Sequence, residues 1–94
     1  MSRLFIRFVV FNIHRKMEAQ FSKEEMLKKL GDRIKQLRIN KGYSSYEYFA
    51  YEHNISRAQF GRYERGEDLR FSSLIKVINA LDLTLAEFFA EGFD

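Results

Sequence analysis

SYEYFAYEHNISRAQFGRYERG, residues 45–66, reads as two short amphipathic helices with only His53-Asn54-Ile55-Ser56 between them. The first covers roughly Ser45 to His53, with Tyr46, Phe49 and Ala50 at the helical spacing of an inward face. The second covers Arg57 to Arg65, turns Phe60, Tyr63 and part of Glu64 inward, and stops at Gly66, a residue suited to a helix C-terminus. So brief a connection forces the helices to cross steeply. Asn54 falls where the turn needs a positive φ, which asparagine tolerates better than most residues. Ala50 is small enough to let the two helices approach.

Outside this unit one local pattern recurs: apolar residue, Ser or Thr, two residues, Glu or Gln, apolar residue. It occurs as Phe21-Ser22…Glu25-Met26, Tyr43-Ser44…Glu47-Tyr48, Ile55-Ser56…Gln59-Phe60 and Leu83-Thr84…Glu87-Phe88. Each copy is a capping box with a hydrophobic staple, the signature of a helix start. A further start near Ser72, after Phe71, lacks the reciprocal acid or amide. The pattern predicts a first helix from about Ser22 to Asn40, with Leu27, Leu30, Ile34 and Leu37 as its buried stripe and Gly42 as its stop. Gly31 inside it costs about 1 kcal/mol relative to alanine, which keeps a start nearer Leu30 open. Ser73 to Leu81 forms a fourth helix burying Leu74, Val77, Ile78 and Leu81. A fifth, Leu85 to about Ala90, buries Phe88 and Phe89. The expected architecture is all-α: a compact five-helix domain over residues 21–94.

Residues 1–20 differ in kind. Leu4, Ile6, Phe8 and Val10 alternate along MSRLFIRFVVFNIHRK, the first sixteen of them, as in a strand. Such a strand needs a partner, for instance its copy in a dimer. Arg7 interrupts the apolar run and no cleavage site follows, which excludes a signal peptide. The run is too short to span a bilayer. Met17 as the true start is the remaining reading.

The chain carries a net charge of +3, unevenly distributed. From Ser22 to Arg65 there are ten Lys/Arg and six Asp/Glu, and from Gly66 to Asp94 two and six. A basic portion facing a polyanion, with an acidic tail turned away, fits nucleic-acid binding; ordinary solvated helix faces fit as well. Cysteine is absent, which removes disulfides and thiolate metal sites and points to the cytoplasm. The two histidines, His14 and His53, are too few and too far apart in sequence for a zinc site. Neither a metal nor a cofactor is expected. No nucleophile or acid–base set converges, because Glu24 and Glu25 belong to a cap and Glu64, Glu67 and Asp68 accompany arginines. An enzyme is therefore not expected.

The outward stripe of the second helix, Arg57, Ala58, Gly61, Arg62 and Arg65, has what a major groove requires. Arginine gives bidentate contacts to guanine O6 and N7, and alanine meets a thymine methyl. Gly61 leaves room for close approach, and Ser56 with the helix N-terminus offers amides to a phosphate. Gln59 either completes its capping box or reads a base edge.

From about Leu30 to Phe89 the segments LGDRIKQLRINKGYS, FAYEHNISRAQFGRYERG and SLIKVINALDLTLAEFF resemble the phage-repressor and Cro-like, or XRE-type, helix-turn-helix family. The resemblance implies a probable repressor, dimeric on double-stranded DNA through its last helices. It puts Arg57, Ala58, Gln59 and Arg62 at base-facing positions, and Ser45, Tyr46 and Arg70 where phosphates are met; Arg65 lies on the same basic face. It also implies a partly buried ion pair between Arg38 and Glu64. Three departures affect the phosphate contacts: a connection from Gly42 to Ala50 one residue longer than usual, Ser45 or Tyr46 in place of the usual glutamine, and Asn54 for the turn glycine. His53 stands in place of an aliphatic residue, as a hydrogen-bonded histidine at the core edge or a pH switch. The alternative is an antitoxin-type module that binds a toxin through the acidic last helix with Phe88, Phe89 and Phe93 while regulating its own operon.

Overall fold

Five helices make up residues 21–94, the part of the chain that the computed structural model describes: α1 (Lys23–Asn40), α2 (Tyr46–Glu52), α3 (Arg57–Glu64), α4 (Phe71–Ala80) and α5 (Leu85–Phe88). No strand occurs among the described residues, and none of their helices is long and apolar enough to cross a membrane. The strand expected within residues 1–16 lies outside the described residues.

Four of the five helices start on a hydroxyl that accepts from a first-turn amide. Ser22 Oγ accepts from Glu25 N–H at 3.0 Å, Ser45 Oγ from Tyr48 N–H at 3.2 Å, Ser56 Oγ from Gln59 N–H at 3.3 Å and Thr84 Oγ1 from Glu87 N–H at 3.1 Å. Only at Thr84 is the box reciprocal, with Thr84 N–H donating to Glu87 Oε1 at 2.9 Å. The cap of α2 is Ser45, not Ser44. With two adjacent serines the spacing alone favours either, and the one that caps is the one that puts Phe49 and Ala50 into the core. Helix α4 begins at Phe71, one turn's fraction earlier than expected, after Arg70, which makes no side-chain cap.

The helix exits are as regular as the entries. After α1, Gly42 N–H donates to Ile39 O at 2.9 Å and Tyr43 N–H to Arg38 O at 3.1 Å. This paired closure requires a left-handed residue, and Gly42 has φ 102°. The same pair of bonds closes α2 at Asn54 (φ 56°), α3 at Gly66 (φ 92°) and α4 at Asp82 (φ 59°). Asn54 was expected in this conformation. Asp82 was not, because nothing in its neighbours distinguishes it from an ordinary loop acid.

Helix α3 packs against both α1 and α2. Ile34, Phe49, Ala50, Phe60, Leu74, Val77, Ile78, Leu81 and Phe88 form the core, with Phe49 and Phe60 rings 5.1 Å apart. Burying one such side chain stabilises the fold by about 1.5–3 kcal/mol. The stripe of α1 is narrower than its leucines suggest. Ile34 is fully enclosed, while Leu27, Leu30 and Leu37 are half-buried. Gly31 and Arg38 take the other buried positions of that helix. Phe89 was expected inside but is 44% exposed, because α5 ends at Phe88 and only that ring reaches the core.

Gly31 has a specific reason to be glycine. A Cβ there would stand 2.6 Å from the carbonyl oxygen of Tyr63 and 2.7 Å from that of Glu64. The glycine therefore lets the end of α3 rest directly on α1, and this proximity outweighs its low helix propensity. Beside it, Arg38 Nε donates to Glu64 Oε2 at 2.7 Å and Nη2 to Glu64 Oε1 at 3.0 Å. The third guanidinium nitrogen, Nη1, donates to Tyr43 O at 2.6 Å. Both side chains are almost wholly buried, 4% and 7% exposed. A bidentate pair with its spare donor also satisfied is the arrangement in which buried charges are tolerated.

Candidate nucleic-acid interface

The candidate surface starts from the turn between α2 and α3. Asn54 closes α2, and its carbonyl accepts from Lys76 Nζ of α4 at 2.8 Å. The turn is thus held from outside the helix pair, by a residue that the sequence offers no way to single out. His53 caps α2 with Nδ1 at 2.8 Å from Phe49 O and lies half-buried, its ring 4.3 Å from that of Phe49. That is the core-edge role. From this turn Ser56 launches α3.

Along α3, Arg57, Ala58, Gln59, Arg62 and Arg65 are all exposed. Their spacing places them on the sides of the helix away from Phe60, which is fully buried. Gly61 departs from expectation. It is buried, and a Cβ on it would stand 2.8 Å from Cε2 of Tyr46 and 3.2 Å from Nη1 of Arg65. The room that glycine leaves is filled by the protein's own side chains, not kept open for a base. Tyr46 is half-buried through this contact, while Ser45 is exposed and engaged as a cap.

Gln59 donates its backbone amide to Ser56, but its side chain makes no hydrogen bond among the described residues. Reciprocity is absent at this cap, and the carboxamide is left on the surface. Arg62 and Arg70 share with it a shallow open depression, together with Tyr63, Glu67 and Ser73.

Charge pairing separates this surface from the rest of the molecule. Elsewhere the cations are engaged: Lys23 with Asp68, Lys28 with Asp32, Lys41 with Asp82, Arg38 with Glu64. Arg33 donates to the carbonyls of Phe88 and Glu87, and Lys29 to that of Asp94. Arg57, Arg62, Arg65 and Arg70 make no ion pair or hydrogen bond through their guanidinium groups with any described residue. Lys35 is the remaining cation without one among the described residues.

A second polar cluster lies at the start of α2. Tyr43 OH donates to Glu52. This bond holds the Glu52 carboxyl below the ordinary range, helped by Tyr48, and raises the Tyr43 phenol. Lys41 acts similarly on Asp82, lowering it mainly through their hydrogen bond. Both clusters are structural ties between neighbouring loops and helices. Compared with known protein families, curated proteins and solved structures, the chain matches none.

Proposed function

We propose that this protein is a sequence-specific binder of double-stranded DNA, a helix-turn-helix transcriptional regulator of the repressor-like class that acts as a dimer. The carrying observation is the set of four exposed, unpaired arginines on α3 and just beyond it, in a domain where every other described cation except Lys35 is engaged. Unpaired guanidinium groups keep all their donors for an incoming polyanion and lose no internal salt bridge on binding. In this reading Arg57 and Arg62 read guanine edges, Ala58 meets a thymine methyl, and the free carboxamide of Gln59 reads adenine. Ser56 and the first amides of α3, with Arg65 and Arg70, hold phosphates, and Ser45 and Tyr46 flank them from α2. In a two-fold dimer the paired α3 helices would lie about 34 Å apart, one turn of DNA.

Fluorescence anisotropy with labelled duplexes tests this. DNA from upstream of the protein's own gene should bind more tightly than a scrambled duplex, and both should weaken as salt rises. Equal affinity for both would reduce the role to a phosphate grip without sequence reading. Absence of binding at low salt would refute the proposal.

One observation favours the antitoxin-like alternative. Leu85, which opens α5, and Phe89, which follows its end, are 45% and 44% exposed beside the acids Glu87 and Glu91. An exposed apolar pair in an acidic setting suits a basic protein partner. Stoichiometric copurification of a small basic protein, lost in Leu85→Asp/Phe89→Asp, would support that role.

A further inference from the structure

The depression that contains Gln59, Arg62 and Arg70 is also lined by two acids, Glu67 and Asp68. Glu67, the first residue beyond Gly66, is exposed and lines the same depression. Its backbone amide closes α3 by donating to Arg62 O at 3.0 Å, so the closure of the helix fixes where it sits. Its side chain has no hydrogen bond and no cation within salt-bridge distance among the described residues. The neighbouring acid is different. Asp68 accepts from Leu69 N–H at 2.8 Å and pairs with Lys23 of α1 at 3.8 Å. Asp68 lines the same depression but has these two partners, whereas Glu67 has none and pairs with neither Arg62 nor Arg70.

We propose that Glu67 is an attenuating residue: a negative charge set among the DNA-contacting arginines that weakens the grip on any phosphate backbone. The inference rests on the DNA-binding reading above. A polyanion approaching Arg62 and Arg70 must bring a phosphate towards this carboxylate, and like charges brought together at an interface disfavour the complex. The repulsion acts on every sequence, because every duplex carries the same phosphates. A penalty common to all sequences leaves the ratio of affinities unchanged and lowers the occupancy of every site at a given protein concentration, so that only sites with good base contacts to Arg57, Gln59 and Arg62 stay filled.

The test compares wild type with Glu67→Gln and Glu67→Ala. Each is titrated by anisotropy against a duplex enriched from a random pool by the wild-type protein, and against its scrambled version, over a salt series. Both variants should bind the scrambled duplex roughly three- to tenfold more tightly at low salt, an advantage that shrinks as salt screens it. The slope of log affinity against log salt should steepen by up to about 0.9, one phosphate's worth. The enriched duplex should tighten by about the same factor, so that the ratio of the two affinities is unchanged. Unchanged or weaker binding of scrambled duplex by both variants overturns the role of Glu67 alone. Failure of the wild type to bind any duplex overturns the DNA-binding reading and this inference with it. Arg70→Gln is the opposite control, and weaker binding there shows that the assay reads charge at this depression.

Discussion

Among single residues, the two buried glycines and the exposed arginines make the clearest predictions. Gly31 and Gly61 are both buried, yet what stands over them differs. A methyl at position 31 meets the backbone carbonyls of Tyr63 and Glu64, which move only if α3 moves. A methyl at position 61 meets the ring of Tyr46 and the end of Arg65, which can rotate. Gly31→Ala should therefore destabilise by about 1–3 kcal/mol despite its better helix propensity, and Gly61→Ala by less; denaturant midpoints of the two variants decide this. On the outer face, Arg57→Ala and Arg62→Ala should each cost about 1–3 kcal/mol on a specific site and leave the melting curve unchanged. A double variant with undiminished site selectivity would remove both residues from the reading role.

Between elements, the decisive tie is Arg38 of α1 with Glu64 of α3. Breaking it from one side, by Glu64→Ala, leaves a buried guanidinium without its partner and should cost about 3–5 kcal/mol. Replacing both, as Arg38→Met/Glu64→Leu, should restore part of that loss, because the uncompensated charge is then gone; chemical denaturation of the three proteins reads the difference. The outer ties behave differently. Glu52 and Asp82 have lowered folded-state carboxyl pKa values. Their contribution is present above the unfolded carboxylate pKa and disappears as pH falls through the folded one. Stability should decline in acid below about pH 4, and Lys41→Met should make that decline shallower. An identical acid limb in Lys41→Met would detach Asp82 from the effect.

For the whole molecule, the distribution of charge matters more than its total. The net +3 lies wholly in residues 1–20; residues 21–94 carry twelve Lys/Arg and twelve Asp/Glu, and their unpaired cations are concentrated on α3 and its exit. Removing Arg70 should weaken binding to every duplex alike and reduce the salt slope by about 0.9, whereas removing Arg57 should act mainly on the preferred sequence. The fold was largely legible beforehand. Hydroxyl caps marked four of five helix starts, and the periodic apolar residues identified Phe49, Phe60, Val77 and Phe88 as core. The surface was legible in part: Arg57, Ala58 and Arg62 were chosen from their phase relative to Phe60 and Gln59 from the family resemblance, and all four are exposed. Gly61 was misread because the helical phase says only that a residue faces outward from its own helix. It does not say whether a neighbouring helix covers that face, and here Tyr46 does.

The sequence by itself placed the helix ends to within about two residues, since hydroxyl caps and glycine or asparagine exits are local chemistry. It also determined which faces are apolar, through periodicity. Tertiary structure alone decided that Ser45 rather than Ser44 caps α2, that Gly31 serves a helix contact, and that Lys76 holds the turn at Asn54. It also decided that Glu67 and Asp68 share a depression with Arg62 and Arg70, and that Asp68 pairs with Lys23 besides. Each of these depends on distances between segments far apart in the chain, and no local pattern of residues encodes them.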